Sequence, residues 1–164
     1  MKRTFLFFSV LFIAITFSKT SFAHCEVPCG IYHDELRIEM INEHIQTIEK
    51  AMVEIKELQS ADTINYNQLV RWINTKEHHA NLIQEIAEQY FLTQRVKFAD
   101  PSDKEKYDKY LAQLTTLHQL IVYAMKSKQS TDLAQVENMR DALDAFEKAY
   151  FGEHRHNADG THKE

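Results

Sequence analysis

Residues that interrupt regular structure are scarce in this chain, and their scarcity limits its possible folds more than any other feature. Only three glycines and two prolines occur among 164 residues, and none lies within residues 31–100 or 102–151. In those stretches, apolar residues recur at three- and four-residue spacing, as in amphipathic helices. The period-two alternation of half-buried strands is absent. The pattern therefore predicts an all-α chain.

The apolar periodicity divides into four helical segments. We expect helices at residues 34–58, 66–96, 103–126 and 131–151. Asp34 is a candidate N-cap of the first helix, and Pro101 ends the second because proline cannot continue a helix. The expected buried side of the second helix comprises Leu69, Trp72, Ile73, Leu82, Ile83, Ile86, Tyr90 and Phe91. Short connections between amphipathic helices predict an antiparallel four-helix bundle over residues 34–151.

Residues 1–23 have the features of a cleaved signal peptide. Lys2 and Arg3 form a basic start, residues 5–17 form an apolar run, and Ser21 and Ala23 occupy positions −3 and −1 of a cleavage site. The apolar run is short for a membrane span, which favours cleavage after Ala23 over an uncleaved anchor. We therefore expect an exported protein, periplasmic or otherwise extracytoplasmic, with no stable membrane association after processing.

Removal of the signal peptide makes the chain more acidic. The whole chain has a formal net charge of −5, and residues 1–23 contain three cations and no acidic residue, so the mature form has −8. A strongly acidic chain is a poor partner for nucleic acid or for an anionic membrane surface. We therefore expect neither of these partners.

Cleavage after Ala23 would also create a metal-binding hook, residues 24–33. The hook contains both cysteines of the chain, Cys25 and Cys29, within six residues that begin at His24. The new amine of His24, the backbone nitrogen of Cys25 and the two thiolates can lie in one plane, with the His24 imidazole as an axial ligand. Square-planar nitrogen and sulfur donors favour nickel or copper, whereas zinc prefers a tetrahedron. The cysteine spacing alone leaves a disulfide equally open, but the adjacent N-terminus favours metal.

The motif His-Cys-x-x-Pro-Cys-Gly-x-Tyr at residues 24–32 resembles the N-terminus of the nickel superoxide dismutase family. Residues 67–72 and 89–91 also resemble the second helix of that family. The resemblance implies a four-helix bundle assembled as a homohexamer, with one nickel ion per subunit. It also implies that superoxide is disproportionated to dioxygen and hydrogen peroxide by Ni(III)/Ni(II) cycling.

The same resemblance implies a role for each hook residue that matches the family motif. His24 would bind nickel through its amine and imidazole, Cys25 through its amide and thiolate, and Cys29 through its thiolate. Pro28 would hold the turn between the cysteines. Tyr32 would be the catalytic residue beside the open coordination position, although a packing role is as compatible with the sequence.

Two residues of the predicted helices also match residues near the family's metal. Glu39, in an Arg-Ile-Glu segment, matches a glutamate that orients the axial imidazole, and Tyr90 matches a second tyrosine beside the site. Because superoxide is an anion and the chain is acidic, Arg71, Lys76 or Arg95 could attract the substrate. Each could equally belong to a solvated helix face.

Other histidines of the chain are weaker metal candidates. Residues 152–164 contain His154, His156 and His162, but their polarity is more typical of a flexible tail. A di-iron centre inside the bundle would require matched Glu-x-x-His pairs on facing helices, which the chain lacks.

Two functions from other classes remain open at the sequence level. The hook could serve a non-enzymatic exported carrier of copper or nickel. A helical interaction module with a small structural disulfide would also account for the two cysteines.

Overall fold

The computed structural model describes residue 28 and residues 30–152, and over these residues the chain is helical without strands. Its elements are α1 (Asp34–Ser60), α2 (Tyr66–Glu85), a π-helical segment (Ile86–Arg95), α3 (Lys104–Gln129) and α4 (Ala134–Phe151). The predicted all-α fold and four-helix bundle are confirmed. The predicted signal peptide and most of the polar tail lie outside the described residues.

The helices begin and end close to the predicted positions. Asn65 and Asp103 cap α2 and α3, because their side chains accept hydrogen bonds from the backbone N–H groups of Gln68 and Lys106 at 3.2 Å. The predicted N-cap of α1 is wrong. His33 occupies that position, and Asp34 is the first helical residue.

The second predicted helix is continuous but changes type after Glu85. From Ile86 to Arg95 it is π-helical, and the backbone N–H of Val96 donates to the carbonyl of Phe91, five residues earlier, at 2.8 Å. In an α-helix, residues five apart point about 140° away from each other. The wider π turn reduces this rotation, so Tyr90 and Arg95 reach the same face.

The bundle core lies where the four helices meet. α1 packs most extensively on α2, and α3 on α4, while α2–α3 and α1–α4 contacts close the bundle. Fully buried side chains from all these elements fill the centre, namely Ile41, Ile45, Ile48, Met52, Ile83, Phe91, Leu117, Leu120, Met139 and Phe146. Burial of this apolar surface is the main stabilising contribution to the fold.

The N-terminal half of α2 departs from the predicted burial. Ile73 was expected inside but is 37% exposed, whereas Ile83 and Phe91 are fully buried as expected. Tyr66 and Val70 are 69% and 53% exposed on the same helix. With Ile73 they follow the i, i+4, i+7 spacing of one helix face. We call Tyr66, Val70 and Ile73 the α2 apolar stripe.

Of the described residues, Pro28 and Gly30 belong to one unit, and a second unit that begins at Ile31 contains the bundle. In the first unit, Pro28 is half-buried in a bend, and Gly30 has a φ of 79°, a left-handed conformation that favours glycine. Within the part of the chain that the structure describes, no helix combines the length and apolar character needed to span a bilayer.

Candidate functional site

The predicted nickel ligands His24, Cys25 and Cys29 lie outside the described residues. The structure does describe the part of the bundle that contains the two predicted site tyrosines, Tyr32 and Tyr90. These belong to a set of polar and aromatic side chains that we call the tyrosine–arginine cluster. Its members are Tyr32, Asp34, Arg37, Tyr90, Arg95 and Tyr150.

Asp34 lies at the centre of this cluster. The Tyr90 hydroxyl donates to Asp34 Oδ1 at 2.6 Å, and the Tyr150 hydroxyl donates to Oδ2 at 2.8 Å. Arg95 donates to the same two oxygens, from Nε at 2.9 Å and from Nη2 at 2.7 Å. This planar, two-bond geometry is the strongest form of arginine–carboxylate pairing. One carboxylate therefore joins α1, the π-helical segment and α4.

The cluster holds each of its polar groups in a definite protonation state. Burial alone would raise the pKa of Asp34, but hydrogen bonds from Arg95, Tyr90 and Tyr150 outweigh it and lower that pKa. Burial and the adjacent Asp34 carboxylate raise the pKa of Tyr90 to about 12, and they raise the pKa of Tyr150 as well. At neutral pH, Asp34 is an anion and both phenols are neutral donors.

Tyr32 is half-buried and is the one member of the cluster that belongs to the predicted hook. The guanidinium carbon of Arg95 lies 4.2 Å from the centre of the Tyr32 ring, and the Tyr90 ring meets it edge-on at 5.9 Å and 76°. Both are favourable aromatic geometries. Tyr32 is therefore positioned by two residues that Asp34 itself holds.

Two cations and one anion give the cluster a formal charge of +1. Arg37 lies 5.0 Å from the centre of the Tyr90 ring and supplies the second positive charge of the cluster. The hydrogen bonds to Asp34 raise the pKa of Arg95, so that its guanidinium stays charged. Positive charge next to aromatic walls is suited to a small anion.

An aromatic layer supports the cluster from the core side. The Phe91 ring lies 5.0 Å from Tyr90 and 5.6 Å from Tyr150, and the Phe146 ring lies 4.8 Å from Phe91. Phe91 and Phe146 are fully buried. Close packing of this kind restricts the tyrosine rings to few orientations.

The other predicted site residues are not part of the cluster. Glu39 is exposed on α1, and Pro28 belongs to the separate N-terminal unit. Lys76 is buried and donates to the carbonyls of Ser127 and Lys128 at 2.6 Å, at the end of α3. It lies about 20 Å along the helix from Tyr90.

Of the three cations considered for substrate attraction, only Arg95 lies in the cluster. Arg71 is exposed on α2, and Lys76 is engaged elsewhere. Sequence reasoning missed the roles of Asp34 and Tyr150, which it assigned to a helix cap and to the bundle core. A carboxylate two residues beyond Tyr32 was the available signal for Asp34. For Tyr150, only the tertiary fold supplies one.

Comparison with known protein families gives a match over most of the chain. The family model described as nickel-containing superoxide dismutase matches residues 19–154, which is most of the chain. Searches of curated proteins and of solved structures found no match to this chain.

Proposed function

The chain belongs to the nickel-containing superoxide dismutase family of oxidoreductases, and on that premise we propose that its processed N-terminus forms the active site. The family match carries this proposal, and it supports nickel as the metal and superoxide as the substrate. Two superoxide anions and two protons would give one dioxygen and one hydrogen peroxide.

The donors of the hook fit nickel on chemical grounds. After cleavage at Ala23, the amine and imidazole of His24, the amide and thiolate of Cys25 and the thiolate of Cys29 would hold one ion per subunit. Nitrogen and thiolate donors of this kind suit nickel. When bound, nickel supplies one-electron exchange through its Ni(III) and Ni(II) states.

In this proposal, Tyr32 connects the metal ligands of the hook to the tyrosine–arginine cluster of the bundle. Its backbone lies no more than about 11 Å from that of Cys29, because Tyr32 is only three positions further along the chain. Arg95 and Tyr90 hold its ring, so its hydroxyl would be presented to a small anion in a restricted range of positions. Tyr32 would thereby order substrate or water and exclude larger molecules.

The phenol of Tyr90 has a different role from that of Tyr32. The Tyr90 hydroxyl donates its hydrogen bond to Asp34 Oδ1, with 2.6 Å between the two oxygens, and the pKa of Tyr90 is raised to about 12. Tyr90 would therefore support the Tyr32 ring rather than supply protons at neutral pH. The protons of the reaction would come from solvent.

Charge supports the approach of superoxide to this face. The two positive charges of Arg95 and Arg37 exceed the single negative charge of Asp34, so the cluster attracts an anion although the chain as a whole is acidic.

Glu39 is exposed on α1, and its proposed role is to orient the His24 imidazole. Such outer contacts fix the orientation of a metal-bound histidine.

The assembly and location of the protein complete the proposal. The family resemblance suggests a homohexamer, and the α2 apolar stripe offers a surface that subunit contacts would cover. The features of residues 1–23 suggest export to an extracytoplasmic compartment.

Metal substitution tests the proposed activity. The mature chain that begins at His24 would be prepared with nickel, with zinc and without metal, and superoxide decay would be followed after pulse radiolysis. We expect catalytic decay with nickel alone, with one hydrogen peroxide formed for every two superoxide anions. Tight nickel binding without faster decay would instead identify a metal carrier, the alternative function.

A further inference from the structure

We propose that His44 and His79 form a second metal-binding site, independent of the hook, for a late first-row divalent ion such as Zn²⁺, Ni²⁺ or Cu²⁺. The two side chains come from different helices, α1 and α2. Their Nδ1 atoms lie 3.1 Å apart, and their rings meet at 68° with centres 5.0 Å apart.

The separation of the two nitrogens matches that of two ligands on one ion. Imidazole nitrogens bind zinc at about 2.0–2.1 Å. Two such bonds that meet at angles between a right angle and the tetrahedral angle place the nitrogens roughly 2.9–3.4 Å apart. The observed 3.1 Å lies within this interval. The separation of the two nitrogens is therefore compatible with one divalent ion bound to both.

Without metal, the same nitrogens share a hydrogen bond. One Nδ1 must then carry the proton and the other must accept it. A metal ion would shift that proton to Nε2 of the same ring, which leaves both imidazoles neutral and both Nδ1 lone pairs available. No net proton is released by this exchange.

The surroundings of the pair keep both imidazoles neutral, as metal binding requires. Burial and the charge of His79 lower the pKa of His44, and burial and the charge of His78 lower the pKa of His79. Both rings are therefore in the neutral form that binds metals. Glu43, adjacent in sequence, acts on His44 in the opposite direction and contributes negative charge. His78 is exposed, and its ring lies 5.5 Å from that of His79.

The pair lies at the edge of the core, with one side open to solvent. Ile45 and Ala80, the next residues on the two helices, are fully buried, whereas both histidines are half-buried. Within the described residues, no group of three or more His, Cys, Asp or Glu side chains could hold a metal. Two protein nitrogens would therefore hold the ion, and water would complete its coordination.

This site is distinct from the tyrosine–arginine cluster. His44 lies ten residues after Asp34 on α1, which corresponds to about 15 Å along the helix. An ion held by both helices would also connect α1 to α2. Because binding requires the folded arrangement, the metal should stabilise the bundle.

Zinc binding to a variant that lacks the two hook thiols tests the proposal. The full mature chain would carry Cys25→Ser and Cys29→Ser, and zinc binding would be measured by calorimetry together with the melting temperature. Adding His44→Asn or His79→Asn should weaken one class of zinc sites by at least about tenfold, since even loss of an outer partner costs about 10–100-fold. The zinc-induced rise in melting temperature should shrink as well.

His118→Asn is the matched control, because His118 is exposed on α3. The same zinc isotherm and melting shift should persist in that variant. If His44→Asn and His79→Asn also leave both readouts unchanged, the pair is only hydrogen-bonded and the proposal is wrong.

Crystals of the nickel-loaded, otherwise unchanged protein provide a readout that does not depend on variant folding. After soaking in zinc, an anomalous peak about 2.0–2.1 Å from both Nδ1 atoms is expected. An absence of such a peak at zinc concentrations that saturate the isotherm would overturn the proposal.

Discussion

At the scale of single residues, the cluster depends on the fact that Asp34 is ionised. Its side chain is 14% exposed and accepts hydrogen bonds from three other side chains. A carboxylate can accept several donors at once, whereas an asparagine would present its NH₂ group in place of one of the two oxygens. The position therefore requires charge as well as shape.

Asp34→Asn should destabilise the fold by about 1–3 kcal/mol at neutral pH, since partly buried donors lose their charged acceptor. The pKa of Asp34 is lowered from its ordinary value of 3.8. Its contribution is therefore present above that value and is lost as the pH falls through the lower pKa of the folded state. Urea unfolding of the wild type and the variant should give a constant difference near neutral pH that shrinks below pH 4.

Asp108→Asn is a suitable control for that series, because Asp108 pairs with Lys104 on the surface with a 59% exposed side chain. It should change the stability little at any pH. An Asp34→Asn difference that stays constant down to strongly acidic pH would contradict the proposed ionisation.

Arg95 offers a second test at the residue scale. Arg95→Gln should lower kcat/KM for superoxide by about tenfold, because it removes the attracting charge and the contact with the Tyr32 ring. The dependence of kcat/KM on ionic strength should also weaken. Pulse radiolysis at several salt concentrations measures both effects.

Arg95→Lys separates the charge of Arg95 from its contacts with Asp34 and Tyr32, and Arg71→Gln is the control. The lysine keeps the charge and hence the salt dependence, but it loses the planar two-bond geometry with Asp34. Arg71→Gln, on an exposed face of α2, should leave kcat/KM unchanged. If Arg95→Gln retained the full salt dependence of the wild type, Arg95 would not attract the substrate.

At the scale of helices, the sequence predicts how many helices form better than it predicts whether a segment is α-helical or π-helical. Apolar residues at three- and four-residue spacing define each helix because one face must be buried. The π-helical segment is not predictable in this way, since over ten residues its apolar pattern differs little from that of an α-helix. Yet this segment brings Tyr90 and Arg95 to one face.

The hydrogen-bond partners of Asp34 could not be predicted from local sequence patterns either. They lie 56, 61 and 116 positions away in the chain. Helix propensity and capping rules treat an aspartate before a helix as a local feature. Only the packing of three elements shows that its carboxylate bonds across the bundle, which is why the predicted N-cap was wrong.

Lys76 provides a test at the element scale, because it joins α2 to the end of α3. Its ammonium group is buried and donates to two carbonyl oxygens at 2.6 Å, where the helix dipole also favours a cation. Lys76→Met should lower the free energy of unfolding by roughly 1.5–3 kcal/mol, the range for hydrogen bonds to charged groups. Denaturant unfolding measures this change.

Lys104→Met is the control for Lys76→Met, since the side chain of Lys104 is 85% exposed. It should have no measurable effect. Equal stability of both variants would mean that the contacts between Lys76 and α3 contribute nothing to the fold.

At the scale of the whole molecule, the α2 apolar stripe remains exposed in a single chain. Tyr66, Val70 and Ile73 are exposed on one face of the helix, and subunit contacts usually cover exposed apolar residues of this kind. Val70→Asp should therefore reduce the assembly from the proposed hexamer to smaller species, as measured by light scattering after gel filtration.

Leu111→Asp makes the same change on α3, where Leu111 is 41% exposed. That variant should keep the mass of the wild type. A wild type that is monomeric at micromolar concentration, or a Val70→Asp variant of unchanged mass, would show that the stripe is not a subunit interface.

The most direct test of the whole account concerns the residue at which the active protein begins. The nickel-treated chain that starts at His24 should accelerate superoxide decay catalytically. A chain that retains Ala23 has no free amine on His24, so it should show only spontaneous decay while its helical circular dichroism is unchanged. Equal catalysis by the two chains would contradict the proposal that a newly exposed N-terminus holds the metal.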